Sequence, residues 1–169
     1  LRIGKCYEKL GKTSAALEYY TKTVNEDPLL DKGWLALTDI YLSQNKPEKA
    51  LQNIKKAIGI DEDIPDYWNK MGEIYVKLNQ LEAAAGSFQK SLSLQSDSIE
   101  VHLALADVLI ISQDPKESLQ VLKEAQLIFN DDAGILYRLA GTYFLLNKLN
   151  KSMTYLTEAL ALNFEGHVI

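Results

Sequence analysis

A chain of 169 residues is long enough to bury a continuous apolar core, and a composition 47% hydrophobic and 24% charged argues against disorder. The net charge of −5 and pI near 5.1 argue against nucleic acid or an anionic membrane surface as partner, since either demands a broad cationic face. A single cysteine, Cys6, rules out an internal disulfide framework, and no Cys/His grouping has metal-ligand spacing.

The chain begins at Leu1 without an initiator Met, a basic leader or a cleavage pattern, and is read as a piece of a longer protein. Residues 1–30 carry Gly4 and Tyr7, a turn at Gly11, then Ala16, Tyr20 and Thr23, with Pro28 at the joint that follows. Apolar and small positions three or four apart form one stripe of a helix, so this segment predicts two helices around a turn. Residues 31–64 repeat it with Trp34, Leu37, Thr38 and Tyr41, a turn at Asn45, and then Ala50, Ile54 and Ala57. Pro47 fits the first turn of the second helix, where a missing N–H costs nothing.

Pro65 punctuates the next joint. Residues 65–98 offer Trp68, Met71, Gly72 and Tyr75, a turn at Asn79, and Ala84, Phe88 and Ser91. Residues 99–132 offer His102, Leu105, Ala106 and Leu109, then Gln113, Pro115, Ser118, Leu122 and Ala125. Residues 133–166 close the series with Leu136, Leu139, Ala140 and Tyr143, a turn at Asn147, and Ser152, Leu156 and Ala159. Gly or Asn at the turn suits a residue in the left-handed conformation after a helix end, and Gln113 departs from that preference. Small residues at 4, 38, 72, 106 and 140 allow close helix approach, and large ones at 20, 54, 88, 122 and 156 fill the space beside them.

The remaining chemistry-bearing residues read as structural. Cys6 shares its phase with Ile40, Ile74 and Val108 and is expected to be a small buried group. His102 takes the aromatic slot of its segment and is expected to be a packed, hydrogen-bonded imidazole. The scattered glycines form no phosphate loop, and Asn150-Lys151-Ser152, a glycosylation pattern, falls at a helix start and is taken as chance. Val101–Ser112, the most apolar stretch, is too short to span a bilayer. No catalytic residue, cofactor or metal is therefore expected, nor membrane insertion. A disulfide-free chain fits the cytoplasm and leaves the periplasm open.

The 34-residue period, with Trp34 and Trp68, the Gly4, Gly72, Tyr7, Tyr41 and Tyr75 positions, and the later Ala and Phe positions, resembles the tetratricopeptide repeat family. The resemblance covers the whole chain. His102 and Leu136 depart from Trp, Leu109 from Tyr, Ser118 and Ser152 from Ala, and Glu62, Ser96, Asn130 and Phe164 from the closing Pro. It implies an all-α solenoid of about five stacked antiparallel helix pairs, a right-handed superhelix forming a single domain over residues 1–169.

The resemblance also implies a scaffold that binds a peptide or protein in a groove lined by the first helix of each repeat. Carried over by position, the candidate residues are Lys5, Leu35, Asp39, Lys70, Glu73, Leu103, Asp107, Ile110, Tyr137, Arg138 and Phe144. Asp39, Glu73 and Asp107 share one phase and favour a basic ligand, unless neighbours such as Lys70 pair with them. Leu103, Ile110, Tyr137 and Phe144 favour a bulky apolar anchor. Leu35, Asp39, Leu103 and Asp107 stand where a clamp for a C-terminal carboxylate wants Lys and Asn, which argues against that activity. Two other readings stay open: a substrate-recruiting arm of an enzyme whose catalytic domain lies elsewhere, and homo-oligomer formation through an uncapped C-terminal face.

Overall fold

The structure, a computed structural model, describes residues 1–130 and 132–165. Among these the chain forms ten helices and no strand: α1 (Arg2–Lys9), α2 (Thr13–Glu26), α3 (Asp31–Ser43), α4 (Pro47–Ile60), α5 (Pro65–Lys77), α6 (Leu81–Leu94), α7 (Ile99–Ile111), α8 (Pro115–Phe129), α9 (Ala133–Leu145) and α10 (Leu149–Glu165). They form two compact units, residues 1–94 with three helix pairs and residues 95–169 with two.

Helix starts follow the sequence signals. Pro47, Pro65 and Pro115 each open a helix, where their fixed φ is already helical. Ser98, Asp114 and Asp132 cap α7, α8 and α9 by accepting from Val101 N, Glu117 N and Ile135 N. The first helix of every pair ends in one device. A residue with positive φ (Gly11, Asn45, Asn79, Gln113, Asn147) turns the chain, and the next N–H reaches back five residues, from Lys12 to Tyr7 O and Lys46 to Tyr41 O at 2.9 Å, with three equivalents. Gln113 adopts this conformation at φ 63° although its side chain does not favour it, because the repeat around it demands the same reversal.

In the first unit the core is a succession of small and large groups. Ala16, Tyr20 and Val24 of α2 pack against Ala36, Leu37 and Ile40 of α3, and Ala50, Ile54 and Ala57 of α4 pack against Tyr67, Met71 and Ile74 of α5. Within this unit α2 and α4 thus each bury the first helix of the pair that follows. Trp34 and Trp68 occupy equivalent places, their indole N–H groups donating to the carbonyls six residues back, Pro28 at 2.8 Å and Glu62 at 2.7 Å.

Close helix approach is visible at two glycines. A Cβ on Gly4 would lie 2.4 Å from the Tyr20 ring, and one on Gly72 would lie 2.5 Å from the Phe88 ring. The aromatic at the large position therefore requires glycine at the small one. Thr38 and Ala106 are tolerated where the facing positions are Ile54 and Leu122.

The second unit repeats the plan with Leu105, Leu109, Leu122, Leu136, Leu139 and Tyr143 buried. Ser118, in an alanine slot, donates to Ala106 O at 3.1 Å, so its buried hydroxyl is satisfied. His102 is buried, with Nδ1 2.8 Å from Ser98 O and its ring edge-on to Phe129. A carbonyl only accepts, so Nδ1 carries the proton.

One expectation is corrected. Cys6 is exposed, not buried. Its counterparts Ile40 and Ile74 are covered by α2 and α4, whereas among the described residues no helix packs against that side of α1 as α2 and α4 pack against α3 and α5. Ile3 and Leu10, on the same face, are exposed for the same reason.

Candidate functional site

The expected site residues lie on the first helices of the pairs, α1, α3, α5, α7 and α9, and each unit is built differently. In the first unit a cleft of about 340 Å³ is lined by Lys5 and Glu8 of α1, Tyr20 of α2, Lys32, Leu35, Ala36 and Asp39 of α3, Ile64, and Asp66 and Tyr67 of α5. Lys5, Leu35 and Asp39 are thus brought together, across two helix pairs.

Two tyrosines give this cleft a polar floor that repeat logic alone assigns to packing. Because Gly4 has no side chain, the Tyr20 ring passes across α1, and its hydroxyl donates to Glu8 Oε2 at 2.7 Å. The Tyr67 hydroxyl donates to Asp31 Oδ2 at 2.5 Å. Burial first, and then the neighbouring carboxylate, push both hydroxyls above their ordinary pKa, so they remain donors. The available sequence signal was a hydroxyl at position 20, where Ile54, Phe88, Leu122 and Leu156 are apolar.

Two of the three carboxylates on the shared phase are internally engaged. Lys70 Nζ lies 3.1 Å from Asp39 Oδ1 in the first unit. In the second, Arg138 grips Asp107 through Nε–Oδ1 and Nη2–Oδ2, each 2.8 Å. The Asp107 hydrogen bond raises the pKa of Arg138, with burial opposing it. Both bases stand 31 residues beyond their acids, one helix pair on and a turn back. The residue 31 beyond Glu73 is Ala104, and Glu73 is exposed with no ion pair among the described residues.

Within the second unit, Leu103 and Ile110 of α7 are half-buried, whereas Ile111, Tyr137, Phe144 and Leu145 are more than half exposed. The Asp107–Arg138 pair is thus the neutralised polar element of a largely apolar face. Among the described residues no cluster of His, Cys, Asp and Glu could hold a metal ion, and no helix is long and apolar enough to cross a membrane.

Three family patterns match the chain: one described as TPR repeat over residues 39–79, one described as tetratricopeptide repeat over 65–98 and 133–165, and another so described over 1–29. No curated protein matches the sequence. The fold is similar to the crystal structure of MamA, with a TM-score of 0.91 and 17% identity over 97% of this chain and 96% of that one. It is also similar to YrrB, described as a TPR protein with an unusual peptide-binding site, at a TM-score of 0.83 and 18% identity over 95% and 82%. Pseudomonas aeruginosa PilF follows with a TM-score of 0.76 and 16% identity over 95% and 73%. The helix pairs, their shared turn and the matched patterns agree on one architecture, an all-α solenoid, and the chain belongs to the tetratricopeptide repeat family.

Proposed function

We propose that this chain is an interaction scaffold that holds an extended or helical segment of a protein partner against the first helices of its repeats. The observation that carries the reading is that these helices present side chains that folding does not consume. Lys5 and Lys32 lie exposed at the rim of an open cleft in the first unit, whose wall includes the half-buried Leu35, and Ile111, Phe144 and Leu145 lie exposed in the second. Exposed apolar groups interleaved with polar ones are the usual composition of a binding face. The description of YrrB as peptide-binding supports the same use of the fold. Glu73 is the carboxylate of its stripe left for a cationic residue of the partner, because Lys70 and Arg138 occupy the other two.

The test is a random peptide library displayed on phage and panned against residues 1–169, with selected peptides measured on Leu35→Asp, Glu73→Gln and Phe144→Asp variants. All three sites are partly or fully exposed, so melting temperature serves as the folding control. Peptides that lose tenfold or more in affinity on at least one variant support the reading. Failure to select any peptide, or peptides indifferent to all three changes, would overturn it.

A further inference from the structure

The charges that face the first-unit cleft divide by whether folding engages them. Glu8 accepts the Tyr20 hydroxyl and Asp39 is paired with Lys70, so both carboxylates are held from within. Lys5 of α1, Lys32 of α3 and Asp66 of α5 are exposed in the lining, and their side chains make no hydrogen bond or ion pair among the described residues. Lys5 stands at the phase of Asp39 and Asp107. The position 31 residues on, from which Lys70 and Arg138 reach those acids, is Ala36 in its case. Lys32 and Asp66 share the second position of α3 and of α5 with opposite sign. The dipole of a helix start favours a carboxylate there and opposes an ammonium, so helix stability does not account for Lys32. Leu35 and Ile64 add an apolar wall on which alkyl stems can lie.

We propose that this cleft receives one acidic and one basic side chain from the same face of a partner protein's segment, the acidic one at Lys5 and Lys32 and the basic one at Asp66. This deepens the scaffold reading above and rests on it. Charge complementarity selects the occupant. The unengaged ammoniums lie on α1 and α3 and the unengaged carboxylate on α5, so a segment of one sign would set a like charge against one side of the cleft. Side chains on one face stand two positions apart in an extended segment and three or four apart in a helix. Either way they are about 5–7 Å apart, which an opening of about 340 Å³ accommodates. The same polarity sets direction, because the order of acid and base in the partner decides which end lies over α1. A second copy is the poorer occupant, since a stable interface between folded chains engages about 20–30 residues a side and this opening is a single cleft.

The probes are the peptides selected on residues 1–169 whose affinity falls at least tenfold on Leu35→Asp, which places them at this cleft. The charge reversals Lys5→Glu/Lys32→Glu and Asp66→Lys fall on exposed sites, with melting temperature as the folding control. Each is expected to weaken these peptides at least tenfold. Exchanging the peptide's acidic residue for Lys should cost as much on the unaltered chain and be restored to within about threefold on Lys5→Glu/Lys32→Glu. Exchanging its basic residue for Glu should be restored likewise on Asp66→Lys. Such rescue separates contact from a folding defect. Peptides without the pair, failure of rescue at either charge, or selected peptides none of which depends on Leu35 overturn the proposal and leave the groove reading standing. Failure to select any peptide overturns both. Sedimentation of the protein alone tests the other occupant: self-association removed by Lys5→Glu/Lys32→Glu assigns the cleft to a second copy and also overturns the proposal.

Discussion

Arg138 meets Asp107 through two parallel hydrogen bonds of 2.8 Å, joining α9 to α7 across 31 residues of sequence. Lys70 stands in the same relation to Asp39, as a point charge at 3.1 Å. The planar fork of arginine fits a carboxylate and the ammonium does not, so Arg138→Lys is expected to lose about 0.5–1 kcal/mol, a partly exposed pair being worth little more. Urea unfolding at low salt should show this loss, and most of it should vanish in 1 M NaCl.

Gly72→Ala places a methyl group 2.5 Å from the Phe88 ring and is expected to destabilise by roughly 1–3 kcal/mol through overpacking. In a Phe88→Leu background the same change reproduces the Ala106 and Leu122 combination already present in the chain. There the helix preference for alanine, about 1 kcal/mol, should reverse the sign. A double-mutant cycle by thermal melting measures the coupling, and independent effects at the two sites would show that contact is not the cause.

Gln113 holds φ at 63° on an exposed turn, which costs an L residue roughly 1–2 kcal/mol. Gln113→Gly is therefore expected to stabilise by about 1 kcal/mol, and Gln113→Asn by less. The urea midpoint should rise with an unchanged slope.

Tyr20 and Tyr67 give the stability a pH dependence whose sign is set. Both are raised above the ordinary value near 10, so the native state keeps protons that the unfolded chain releases. Their contribution is fully present below pH 10 and declines as pH rises beyond it, by at most about 1.4 kcal/mol per pH unit for each tyrosine. Urea titrations between pH 8 and 11.5 should show this decline. The Tyr20→Phe/Tyr67→Phe double variant should flatten it.

The period, the helix pairs and their reversals were legible in the residues, because helix formation and termination depend on neighbours within about five positions. Pro47, Pro65 and Pro115 could open helices, and Asn45, Asn79 and Asn147 could close them, without reference to any other repeat. The pairing of small with large positions was equally visible, since Gly72 and Phe88 lie within one hairpin.

Coverage and charge pairing needed the tertiary structure. Cys6 and Ile40 share a phase, yet α2 buries only Ile40, because burial depends on which helix lies alongside and not on the pattern within one helix. Asp39, Glu73 and Asp107 look alike in sequence, and what separates them is whether a base projects from a helix 31 residues on. The Tyr20 hydroxyl reaches the cleft only because α1 has no side chain at Gly4 where the ring crosses it. Local conformation is set by short-range spacing, whereas the surface a ligand meets is what remains after distant helices have packed and paired.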